Sequence, residues 1–151
     1  MKTRWIAAHD FSACSDAAAR QAARDAVTEK AQLILLYALD PEIMAPPVEW
    51  ATGAATAPSV THLAETRAAA RVRMEAIADA LRSDNPGLVV SVEVHDGHPV
   101  DVILDAAEAD GISRIIVGTH GRRGLRRLFL GSVAERVVRA SPVPVLVVRE
   151  T

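Results

Sequence analysis

With a single cysteine, Cys14, the chain cannot form an internal disulfide. Four cysteine or histidine ligands at finger-like spacing are missing too, which excludes a structural zinc finger. A reducing compartment, the cytoplasm, is the expected location. Charge of one sign is not in excess: 17 Lys and Arg face 19 Asp and Glu, for a net charge of -2 and a pI near 6.2. That balance excludes a globally basic nucleic-acid binder. No apolar run approaches the roughly 20 residues that a membrane-spanning helix requires. From Met1 to Asp10, charges at Lys2 and Arg4 and the polar pair His9 and Asp10 come too early for the apolar region of a signal peptide. What is present is a chain of 151 residues, half of them hydrophobic. That is the size of one domain with a proper core, expected to span 1–151.

Periodicity supplies the order of elements. Short apolar runs at Ile6–Ala8 and Leu33–Leu36 flank an alanine-rich helical segment from about Ser12 to Lys30, with Ser12 as N-cap and Asp16 in the first turn. Leu63, Ala70, Met74, Ile77 and Leu81 mark one face of a second helix, which ends before Pro86-Gly87. Leu88, Val90, Val92 and Val94 then alternate with Val89, Ser91, Glu93 and His95, the pattern of a strand near an edge. Pro99 opens a short helix carrying Val100, Ile103, Leu104 and Ala107 that stops at Gly111, and Ile115–Val117 reads as a buried strand. A helix from Ser132 to Arg139, with Val133, Val137 and Val138 as its apolar contacts, precedes a last strand over Val143–Val148, where Pro144 suits an edge. Alternation of this kind implies right-handed crossovers: an α/β fold, a parallel sheet with helices on both faces. The stretch at about 39–60, with Pro41, Pro46, Pro47 and Pro58, breaks the pattern and is expected to be a long surface loop.

The chemistry concentrates between Val117 and Ser132. Gly118 and Gly121 would let backbone approach a ligand at the end of a strand. Gly131-Ser132 opens a helix whose free amides and dipole favour an anion, and the Ser132 hydroxyl adds a donor. Arg122, Arg123, Arg126 and Arg127 bias the same stretch toward anions. The P-loop pattern fails, because it needs a lysine directly before the Ser or Thr whereas the chain reads Leu130-Gly131-Ser132, and G-x-G-x-x-G is absent. His95 and His98 read as surface histidines, Cys14 as a small packed residue, and His120 either as a phosphate donor or as a solvated side chain.

The remaining pattern, G-x-x-G, nine residues, then G-S, is complete at Gly118, Gly121, Gly131 and Ser132, and it resembles the nucleotide-binding motif of the universal stress protein family. His9-Asp10-Phe11-Ser12 resembles that family's opening Asp-x-Ser turn, Gly97-His98-Pro99 its Gly-x-Pro step, and Ser141–Val148 its last strand. The resemblance implies a five-stranded parallel sheet of order 3-2-1-4-5 binding ATP or AMP, with or without Mg2+ on the phosphates. The binding residues it implies are Ala8, Asp10, Ala38, Gly118, Gly121, Arg122, Gly131, Ser132 and Val133. Asp10 would bond the nucleoside, the Ala38 backbone would contact adenine, and Gly118 would lie against the ribose. Gly121, Gly131, Ser132 and Val133 would surround the phosphates. Independently, open parallel sheets bind ligands where strand order reverses, and Asp10 and Gly118 follow the two strands concerned. The resemblance also implies a homodimer through the last strand, with Val143, Val145 and Val147. The expected function is an ATP-binding regulator in the stress response, with neither nucleic acid nor membrane as partner. The rival is an enzyme using ATP for phosphoryl or adenylyl transfer. It is disfavoured because no Asp or Glu stands between Gly118 and Ser132, so no catalytic or metal-holding residue is expected. A nucleotide-free scaffold would have no need of the complete glycine set.

Overall fold

Five short runs rich in Ile, Leu and Val become strands: β1 (Arg4–Ala8), β2 (Gln32–Leu39), β3 (Val89–Asp96), β4 (Ile112–Gly118) and β5 (Val145–Val148). A computed structural model of the chain describes residues 3–44, 60–120 and 130–150. Every strand pairing is parallel, in the order β3-β2-β1-β4-β5. The order therefore reverses between β1 and β4, whose carboxyl ends lie side by side through the Ala7–Ile116 pairing.

Helices α1 (Ala13–Glu29) and α3 (Val60–Asp84) cover one face, while α4 (Pro99–Ala107) and α5 (Ser132–Ala140) cover the other. Alternation along the central strands sends side chains to both layers. Trp5, Ala7, Leu33 and Leu35 pack under α1 and α3, and Ile6, Ile34, Leu36, Ile115 and Val117 pack under α4 and α5. On α1 the buried stripe is almost wholly alanine (Ala18, Ala19, Ala22, Ala23 and Ala26), which lets the helix lie close to the sheet. Its caps are well defined. Ser12 Oγ accepts from Ser15 N at 3.2 Å, and at the far end Lys30 turns left-handed (φ 55) so that Ala31 N donates to Ala26 O.

The expected fold class is present, with both outer strands where their patterns placed them. Several boundaries differ. The segment at about 39–60 is not loop from its start: Leu39 completes β2, and Asp40 caps a four-residue helix, α2 (Pro41–Met44), by accepting from Glu42 N at 2.9 Å. Its remainder, 45–59, lies outside the described residues. On α5 the buried contacts are Ala134 and Val137, whereas Val138 is 46% exposed, because one residue is about 100° of rotation on a helix. β5 begins at Val145 rather than Val143, and α4 closes at Ala107, four residues before Gly111.

Candidate functional site

The chain leaves β1 at Ala8 and turns through His9-Asp10-Phe11-Ser12 into α1. Asp10 is half-buried there, its backbone N donating to Ser15 Oγ (3.3 Å) and its Oδ1 accepting from Ser12 N (3.0 Å). Phe11 has a left-handed backbone (φ 64), costly for a residue with a β-carbon. Its ring meets His9 edge-on at 5.5 Å and packs on Tyr37 at 4.8 Å, with the Arg73 guanidinium 3.7 Å from the ring centre. Beneath it His9 is fully enclosed, its side chain 0% exposed, with Nδ1 accepting from Phe11 N (3.0 Å) and Nε2 on Asp16 Oδ1 (2.9 Å). Burial lowers the His9 pKa below its ordinary value and outweighs the hydrogen bond to Asp16, which raises it.

Next to that turn, β4 ends at Gly118. A β-carbon on Gly118 would lie 2.8 Å from the Cys14 carbonyl carbon, so the residue must be glycine to let the start of α1 rest on the strand. Packing, rather than only the approach of a ligand, accounts for this glycine. Cys14 fills the contact as expected, its Sγ 3.8 Å from both Thr119 Oγ1 and Glu150 Oε2. From Thr119 the chain returns at Gly131, whose N donates to Thr119 O at 2.7 Å and so pins the start of α5 over the end of β4. Gly131 is an ordinary extended N-cap (φ -62, ψ 154) and offers no side-chain cap, so among the described residues no side chain occupies the first-turn amides of α5. Ser132 is exposed there, and Val133 packs partly against the core. His120 Nδ1 sits 3.1 Å from Thr119 Oγ1, while its Nε2 is buried with no partner among the described residues. Gly121 and Arg122 lie outside the described residues.

Ala38, near the end of β2, pairs with His95 of β3 and packs toward the α4–α5 layer. Beside it, Asp40, Glu42, His98, Asp101 and Arg136 line a cleft of about 520 Å³. Three carboxylates face one guanidinium there, which leaves the cleft less favourable to phosphate than the start of α5. His98 caps α4, its Nδ1 accepting from Val100 N at 3.3 Å, and His95 pairs with Glu93 at 2.9 Å. No group of three metal-ligating side chains converges among the described residues, and no helix among them is long and apolar enough to cross a membrane. The predicted set thus divides. Ala8, Asp10, Gly118, Gly131, Ser132 and Val133 gather at the β1–β4 crevice, and Ala38 lies one strand away. His9 was not foreseen, and the one cue to it was a histidine directly after an apolar run and before a helix cap.

The family model described as the Universal stress protein family matches residues 1–149. A universal stress protein of Mycolicibacterium smegmatis is 31% identical over 140 residues, 92% of this chain and 45% of the relative. Universal stress protein MJ0577 of Methanocaldococcus jannaschii is 39% identical over 80 residues, 53% of this chain and 48% of the relative. The matched stretches therefore span less than half of either of these curated relatives. The solved structure of MJ0577 superposes with a TM-score of 0.70 at 26% identity, covering 100% of this chain and 98% of that one. A universal stress protein crystallised in complex with cAMP superposes at 0.71 with 21% identity, covering 98% and 97%, a likeness of fold.

Proposed function

The chain belongs to the universal stress protein family, and from that premise we propose that it is an ATP-binding regulator whose signal is its nucleotide occupancy. The observation that carries this reading is the β1–β4 crevice. There Asp10, the glycine end of β4 and the uncapped amides of α5 meet where strand order reverses. A relative of the same fold taken with cAMP supports a nucleotide as the ligand class. The nucleoside would lie toward Asp10 and Ala38, and the phosphates toward Gly131 and Ser132. A magnesium ion accompanying the triphosphate would be carried by phosphate oxygens and water, since no protein cluster among the described residues is built to hold one.

Gly131 has dihedrals open to any residue, so Gly131→Val should leave the fold intact while obstructing the approach to the α5 amides. Steric loss of that contact should exceed the roughly 0.3–1 kcal/mol of an exposed dipole interaction. ATP affinity by titration calorimetry should therefore fall at least about tenfold, a step of roughly 1.4 kcal/mol, with an unchanged circular dichroism spectrum. Equal affinity would remove the α5 terminus from the site.

Turnover should be slow. Amides and a serine would hold the ground-state triphosphate, and such uniform binding does not lower a barrier. Asp10 is engaged with Ser12 N, and His120 is tethered to Thr119 without a second group among the described residues to orient it as a base. Phosphate release should lie far below the ~1–100 s⁻¹ typical of kinases. A wild type near one turnover per second that His120→Ala abolishes would make the protein an enzyme.

A further inference from the structure

His9 has both ring nitrogens committed. The backbone amide of Phe11 can only donate, so Nδ1, 3.0 Å away, must be the acceptor and carry no proton. The proton then resides on Nε2 and is donated to Asp16 Oδ1 at 2.9 Å. One neutral tautomer therefore ties together the end of β1, the turn and the first turn of α1, while His9 N is itself held by Leu36 O at 2.9 Å. Asp10 stands between the two residues joined by the Nδ1 bond, and the left-handed Phe11 is held by that bond together with its ring contacts.

We infer that His9 is a positioning residue for the nucleotide site: its neutral ring locks the turn that presents Asp10, and a proton on Nδ1 breaks the lock and weakens nucleotide binding. This rests on the proposal that Asp10 contacts the nucleoside. A proton on Nδ1 would point at the Phe11 N–H, setting two donors face to face inside an enclosed space. The charged groups around the ring are Asp16 from α1, Asp10 from its own turn and Arg73 from α3, while β2 offers the Leu36 carbonyl and, beyond the Phe11 ring, Tyr37. Burial lowers the pKa, the Asp16 hydrogen bond and the charges of Asp16 and Asp10 oppose this, and Arg73 adds to it, leaving the ring neutral at pH 7. Affinity should hold through neutral pH and decline only as acidification reaches the ring's lowered pKa, beneath the ordinary histidine value of about 6.5.

The test combines ATP titrations of wild type, His9→Asn and His9→Leu between pH 7.5 and 5.5 with 15N NMR of the histidine rings. Asparagine offers an oxygen acceptor to Phe11 N but does not titrate. It should keep wild-type affinity within about threefold at pH 7.5 and show a shallower pH profile, the remaining slope being that of ATP itself. Leucine, without an acceptor, should bind at least tenfold more weakly at pH 7.5. The His9 ring should show the Nε2–H tautomer, and the amide resonances of Asp10 and Phe11 should move with its titration. A wild-type pH slope retained in His9→Asn, or an Nδ1–H tautomer, overturns the proposal, whatever becomes of the leucine variant's fold. Failure of wild type to bind ATP at any pH removes the nucleotide reading instead. The lock is then judged by those two amides, and their indifference to His9 titration overturns it.

Discussion

His9 exchanges water for two fixed partners, and that exchange has a consequence for stability as well as for the site. Its pKa is lowered in the folded protein, so the unfolded chain binds more protons wherever the two states differ. Above about pH 6.5 both forms are neutral and His9 contributes no slope; as pH falls through that value the unfolded state gains a proton first and stability declines. Urea midpoints at pH 7.5, 6.5 and 5.5 should therefore fall more steeply for wild type than for His9→Asn, the difference isolating this ring from the carboxylates. Equal slopes would place the proton elsewhere. At this scale the chain was only partly readable. Glycine and serine spacing pointed to the β1–β4 crevice because their chemistry is local, and Ser12 declared itself as a cap. The enclosure of His9 and the left-handed Phe11 depend on Tyr37 and Arg73, which are distant in sequence, and no periodicity reports such contacts.

Among the elements, α1 rests on β4 through the contact of Cys14 with Gly118. Gly118→Ala would drive a β-carbon to within 2.8–2.9 Å of three Cys14 atoms, two of them backbone, so α1 would have to lift. Overpacking of this kind typically costs about 1–3 kcal/mol. The variant should lower the unfolding free energy by about that amount in urea, and an undiminished midpoint would show that the helix yields freely. Strands and helices were legible because burial in a layered sheet imposes periods of 2 and 3.6. β3 alternates as an edge strand should, and the face of α3 includes the predicted Ala70, Met74 and Leu81. Boundaries were less legible. The short helix after β2 depends on a cap from Asp40, and Val138 looked like core only because the valine beside it is core.

For the whole molecule, the sheet leaves β5 as an outer strand with one neighbour, β4. Val143, Val145 and Val147 pack partly on the α4–α5 layer, while Leu146 faces the other way and is 36% exposed. Pro144 O and Val148 O accept from Ile115 N and Thr119 N of the β4 side. In a parallel ladder alternate residues bond one neighbour, so the backbone groups of Val145 and Val147 face outward. If a second copy covers this edge, Val147→Pro removes an outward donor without touching the β4 ladder. Sedimentation should then show a monomer with native circular dichroism. An unchanged dimer would move the interface elsewhere.

The 2.7 Å bond between Thr119 O and Gly131 N ties a helix terminus to the sheet itself. Eleven residues separate the two anchors, and both anchors are fixed by the sheet and by α5. The helix amides therefore keep a fixed distance from the end of β4, and a ligand that reaches the strand end meets them without any rearrangement of α5.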